Sequence, residues 1–172
     1  QEVYDQVGKD PLRYFMVSTK SETSMDFDLN KVIEKNKDNP VFYCQYAYAR
    51  ASSVINKAND LGISINSFNK NTKIKEYLTN DEIEIILKLL SYPYILHQSS
   101  LKREPHRLTN FIEDVSISFH SFWNKGKENE SLRFIDEKNI LKSQTKLLWL
   151  HSMRIVFENI FNIIGIDYHE TM

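Results

Sequence analysis

Between Pro105 and Trp123, the apolar residues Leu108, Phe111, Ile112, Val115, Phe119 and Phe122 recur at spacings of three and four. A strand turns over every two residues and a helix every 3.6, so this stripe fits one side of an α-helix and no strand. A second segment, Ile140 to Ile164, is apolar almost all round and ends at Gly165, a residue suited to the left-handed stop after a helix. A helix with that pattern needs neighbours on every side. The two segments together predict an all-α helical bundle with the last helix central to it.

The rest of the chain obeys the same grammar. Asp10 to Ser18 reads as a short helix with Asp10 as N-cap, Pro11 at the first helical position and an apolar stripe of Leu12, Phe15 and Met16. Thr19 to Ser24 breaks the pattern, and Asp26 or Asp28 caps a following helix to about Asn36. Those two carboxylates stand two apart, which suits capping better than shared acid and base chemistry. Pro40 opens a long helix to about Asn59. Gly62 to Thr79, rich in Asn, Ser and Lys, reads as a loop. Thr79 with Glu82 forms a capping box before Ile83, Ile86, Leu87 and Leu90, and Pro93 interrupts or kinks that helix. A further turn or two carries Ile95 and Leu96, and Gly126 to Asn139 is charged and turn-like. Short connections give residues 1–36 as an appended helical segment and residues 37–172 as the main helical domain.

With 172 residues, four glycines and a formal charge of −1, the chain fits one packed domain without a strongly basic block. Any nucleic-acid partner must then be held by shape and stacking more than by bulk charge. A neutral helical domain that binds no polyanion fits the composition equally well. Cys44 is the only cysteine, which rules out an intrachain disulfide and fits a reducing, intracellular compartment, with Cys44 as a small buried residue. No run of apolar residues is long enough for a transmembrane span, so a soluble protein is expected. The four glycines are scattered, which excludes the glycine-rich phosphate loops. The five histidines form no metal-binding pair, and the serines show no nucleophile framework. No catalytic residue and no metal ligand is assigned.

The helix opened by Pro40 is unusual. At 100° per residue, Val41, Cys44, Tyr48, Ala51 and Ile55 gather on one side, and Tyr43, Tyr46 and Arg50 on another, roughly 145° away. One face suffices for a core. Two readings fit the second: tyrosines packed between helices with their hydroxyls at the edge, or a platform where unpaired bases stack while a guanidinium meets phosphate or a base edge. Trp123 has the same two readings.

Three ordered motifs carry a resemblance that bears on this choice. Gly8 to Met16 with Met25 to Leu29, then Asp38 to Arg50, then Glu104 to Phe111, together with a long last helix closing at Gly165 and a terminal methionine, resemble the C-terminal part of bacterial class I arginyl-tRNA synthetases. The resemblance covers nearly the whole chain. It implies an α-helical anticodon-binding domain of the type named for an Asp-Ala-Leu-Arg motif, which here reads Asp10-Pro11-Leu12-Arg13. The family commonly has His where this chain has Tyr48, and Arg where it has Thr171. By the same resemblance, Tyr43, Tyr46 and Arg50 lie against the anticodon loop of arginine tRNA, with Trp123 and Met172 as further contributors. The implied parent enzyme is cytoplasmic and monomeric and uses ATP and Mg2+. Its ATP and arginine sites lie in a catalytic domain ahead of this sequence, so this fragment is expected to bind tRNA without a cofactor and without catalysis. A free-standing helical interaction module is the competing reading, with an apolar groove for a partner helix.

Overall fold

A computed structural model describes residues 2–24, 34, 38–69 and 73–172. Among these residues there are seven α-helices and no strand: α1 Glu2–Val7, α2 Lys9–Ser18, α3 Pro40–Asp60, α4 Asn80–Leu90, α5 Tyr92–Lys102, α6 His106–Glu128 and α7 Ile140–Ile164. The expected all-α bundle is the observed one. No described helix is long and apolar enough to cross a membrane.

Helices α3, α6 and α7 pack on one another, with α4 and α5 laid against α6 and with α2 touching all three central helices. The apolar stripe of α6 does what its spacing requires: Ile112, Val115, Phe119 and Phe122 are buried. They meet Leu150, Met153, Phe157 and Phe161 of α7 and Cys44, Ala47, Tyr48 and Ala51 of α3 in one core. Tyr14 of α2 is fully buried in that core too, and its hydroxyl donates to Glu113 Oε1 at 2.6 Å.

Local signals set most of the boundaries. Asn39 caps α3, its side-chain oxygen accepting from the backbone N–H groups of Val41 and Phe42, with Pro40 in the first turn. Thr79 and Glu82 form the full reciprocal capping box of α4. Ser91 separates α4 from α5, where Pro93 sits in the first turn and so costs no hydrogen bond. Among the described residues of the segment from Gly62 to Thr79 there are two short 3-10 turns, Ile65–Ser67 and Ile74–Tyr77.

Three expectations fare differently. Asp10 is not the cap of α2; Gly8 holds that position, and Pro11 lies within the first turn of the helix but past its opening residue. The Asp10 carboxylate is drawn instead to the far end of the chain, accepting from the backbone N–H of Asp167 at 3.1 Å and from Gln45 Nε2 at 3.2 Å. Helix α6 runs through Gly126 to Glu128 rather than stopping near Trp123, because Phe122 and Gly126 are both buried and the packing offsets a helical glycine's cost of ~1 kcal/mol. The helix expected from Asp26 or Asp28 to Asn36 lies outside the described residues.

The Lys146–Glu82 ion pair is wholly interior. Lys146 and Glu82 are 1% and 0% exposed and meet at 3.3 Å. Glu82 also accepts from Trp149 Nε1 and from both the backbone N–H and the hydroxyl of Thr79, while Lys146 donates to the Leu132 carbonyl at 2.9 Å. Burial pulls Lys146 below the ordinary lysine value, and Glu82 opposes that shift. A buried charge needs such a set of partners to persist.

At the other end, Gly165 closes α7 in the left-handed region with φ 73°, its N–H donating to Phe161 O at 2.8 Å. Arg13 donates through Nε to the Ile164 carbonyl and fills the space where a Cβ of residue 165 would stand. Asp10 and Arg13, the outer residues of the Asp-Pro-Leu-Arg motif, thus pin the exit of α7.

Candidate nucleic-acid interface

The two faces read from the α3 sequence are two environments. Val41, Cys44, Tyr48, Ala51 and Ile55 are buried, whereas Phe42, Tyr43, Tyr46 and Arg50 are half-buried along the other side. Cys44 is a core residue, its thiol pushed up to about 12 by burial. Tyr48 stays inside, donating to Glu158 Oε1 at 2.7 Å and accepting from Arg154.

Arg50 is the centre of the second face. Its Nη1 lies 2.8 Å from His120 Nδ1, and its Nη2 donates to the Tyr46 hydroxyl at 3.0 Å. The guanidinium also covers the Tyr46 ring, 4.0 Å from the centroid, and stands 5.0 Å from the Trp123 ring centre. Both rings present π faces to the cation. No carboxylate pairs with Arg50 among the described residues. Its charge is therefore answered by ring faces, a hydroxyl and an imidazole, and is left to attract an anion from outside.

His120 comes from α6 and is 3% exposed. A guanidinium can only donate, so Nδ1 must accept from Arg50, and Nε2–H donates to the Tyr43 carbonyl at 3.1 Å. That fixes a neutral imidazole in one tautomer. Burial and the adjacent Arg50 charge agree with it, holding His120 down at about 4 against the pull of the Tyr43 carbonyl. The His120 ring also lies 4.3 Å from that of Tyr43 and 5.8 Å from that of Tyr46. Phe42 extends the row, stacked on Tyr46 at 5.7 Å and 18°.

The structure thus brings four of the five sequence candidates, Tyr43, Tyr46, Arg50 and Trp123, into one patch of rings around a single guanidinium. Met172, the fifth, is 54% exposed. In the tail leading to it, Tyr168 packs on Tyr48 and Phe161, and Glu170 meets Arg154. Two members of the patch went unread in the sequence. Phe42 lies one helical turn before Tyr46, and His120 lies three residues before Trp123, so helical spacing carried a signal for both.

Rings beside a cation, one of them already stacked by that cation, are the chemistry by which unpaired bases and their phosphates are held. The comparisons with known proteins bear on the family of the whole chain. The model of the DALR anticodon binding domain matches residues 44–172. An arginine–tRNA ligase of Pelagibacter ubique strain HTCC1062 is 41% identical over 175 residues, covering 100% of this chain and 29% of the relative. One of Agrobacterium fabrum is 36% identical over 174 residues, covering 100% of this chain and 30% of the relative. The chain therefore spans less than a third of the length of these curated relatives. A solved Campylobacter jejuni chain named for arginyl-tRNA synthetase superposes with a TM-score of 0.80 at 26% identity, over 99% of this chain and 35% of that one. Arginyl-tRNA synthetase of Thermus thermophilus, at 23% identity and a TM-score of 0.77 over 97% of this chain and 27% of that one, shares the fold. The resemblance drawn from the three sequence motifs holds, and the chain belongs to the DALR anticodon binding domain family.

Proposed function

We propose that this chain is the tRNA-reading part of an arginine–tRNA ligase, and that Tyr43, Tyr46, Arg50 and Trp123 hold unpaired bases of the arginine-tRNA anticodon. The observation that carries the reading is the Arg50 guanidinium, spread over Tyr46 and beside Trp123, fixed by His120 and paired with no carboxylate among the described residues. Bases stack on the rings, and Arg50 meets phosphate or a base edge. Met172, which is exposed, is a further contributor. Residues 1–36 lead from the catalytic domain, and residues 37–172 form the anticodon-binding domain. The parent enzyme joins arginine to its tRNA in the cytoplasm as a monomer, with ATP and Mg2+ bound in its catalytic domain. The relatives' shared name and the family match support this assignment.

Replacing Tyr43 and Tyr46 together by alanine in the full-length enzyme tests the reading. Each stacked base is worth about 1–3 kcal/mol, so KM for arginine tRNA rises by at least about tenfold, with the KM for arginine unmoved. An unchanged KM for tRNA overturns it.

A further inference from the structure

Next to the Arg50 patch, and sharing Trp123 with it, lies a cavity of about 420 Å³ between the second half of α3, the end of α6 and the segment 132–135. That volume is within the ~300–1,000 Å³ range of small-molecule sites. Its aromatic lining comes from Phe122, Trp123 and Phe134, and Lys57, Lys127 and Arg133 contribute three cations. Among the described residues no carboxylate lines it. Arg133 is already paired with Glu130 at 2.7 Å, whereas Lys57 and Lys127 have no ion-pair partner among the described residues. The wall is held in place from behind, since the buried Lys146 donates to the Leu132 carbonyl and lies 5.0 Å from the Phe122 ring centre.

A purely apolar groove suits a hydrophobic side chain. A cavity with an aromatic lining and two uncommitted lysines suits a planar ring that carries an anion. We infer that this cavity takes one further unpaired nucleotide of the same RNA loop, its base against the half-buried Trp123 ring over a floor of the buried Phe122 and Phe134, and its phosphate at Lys57 and Lys127. The inference rests on the reading of the Arg50 face as an RNA-binding surface. It extends that surface past Trp123, so that the ring borders two successive nucleotide positions.

Gly126 gives a direct test. It lines the cavity with an ordinary backbone conformation, and a Cβ there meets the Leu132 backbone at an unstrained 3.8 Å. Gly126→Leu therefore fills the cavity while favouring the helix. A labelled RNA hairpin bearing the arginine-tRNA anticodon loop is titrated against the full chain, its Gly126→Leu form, a Lys57→Ala/Lys127→Ala form and an Arg50→Ala form, at several salt concentrations. Circular dichroism reports folding, and the exposed lysine pair keeps the test open if Gly126→Leu does not fold. The expected result is binding about 5- to 150-fold weaker for Gly126→Leu, the range of one lost base stack. The lysine double variant should show a log–log salt slope shallower by about 0.7 for each phosphate no longer neutralised. If Gly126→Leu and the lysine variant bind as the unaltered chain does while Arg50→Ala is weakened, the cavity proposal is overturned and the Arg50 face stands. If the unaltered chain binds no hairpin even at low salt, both are overturned.

Discussion

Gly165→Ala should destabilise the fold through a residue at the opposite end of the sequence. Gly165 sits at φ 73°, ψ 38°, where an L side chain costs about 1–2 kcal/mol. The new methyl also enters space held by the Arg13 guanidinium and displaces it from the Ile164 carbonyl. Arg13 is exposed, so solvent competition brings that hydrogen bond below the range for charged donors, to the ordinary value of about 1 kcal/mol. The expected loss is about 2–3 kcal/mol, and for a domain of this size Tm falls by about 4–12 °C. Urea unfolding of a double-mutant cycle with Arg13→Ala separates the two effects. In the Arg13→Ala background, Gly165→Ala should cost only the backbone strain, leaving a coupling of about 1 kcal/mol. Additive losses, with coupling under about 0.3 kcal/mol and unchanged m-values, refute the idea that Arg13 reads the missing side chain at position 165.

Protonation of His120 should loosen the Arg50 patch. Its folded value of about 4 lies below the 6.5 of a free imidazole, so the unfolded chain takes up the proton first. Stability from this group is whole above about pH 6.5, falls as the pH drops towards 4 and levels off below, with a ceiling of ~3 kcal/mol. Urea unfolding of the chain and of His120→Gln from pH 7.5 to 4 should therefore give converging stabilities on acidification; parallel curves contradict the assigned tautomer. Arg50→Lys keeps the charge but not the planar fork that spans His120 and the Tyr46 hydroxyl. RNA binding should weaken by about tenfold despite the conserved charge, and anisotropy titrations that match the unaltered chain would exclude a geometric role for the guanidinium.

Helical periodicity was enough to separate the buried Val41–Cys44–Tyr48 side of α3 from the Tyr43–Tyr46–Arg50 side, because that contrast is written within one helix. The cap at Thr79 and Glu82 was equally legible, its partners being three residues apart. What local pattern does not carry is the destination of a polar group across the fold. Asp10 has the chemistry of an N-cap, yet its carboxylate serves an N–H group 157 residues away. His120 on its own is one imidazole on an apolar helix; it becomes part of a site only when α6 is set against α3, where it meets Arg50 70 residues from its own position. Gly126 misled for the opposite reason. A glycine and several charges resemble a turn, but burial of that side of α6 carries the helix onward.

The interior Lys146–Glu82 pair constrains which sequences can replace this one. Changing Lys146 alone strands a carboxylate, and changing Glu82 alone strands an ammonium, each a loss of about 3–5 kcal/mol, whereas exchanging both for apolar residues of similar volume can be close to neutral. The two positions are thus epistatic: either single step crosses a deep valley, and only the paired step avoids it. Because Lys146 also holds the Leu132 carbonyl, the paired step frees the 132–135 segment as well. A substitution made for packing on α7 would in that way reshape a surface on which no replaced side chain is exposed.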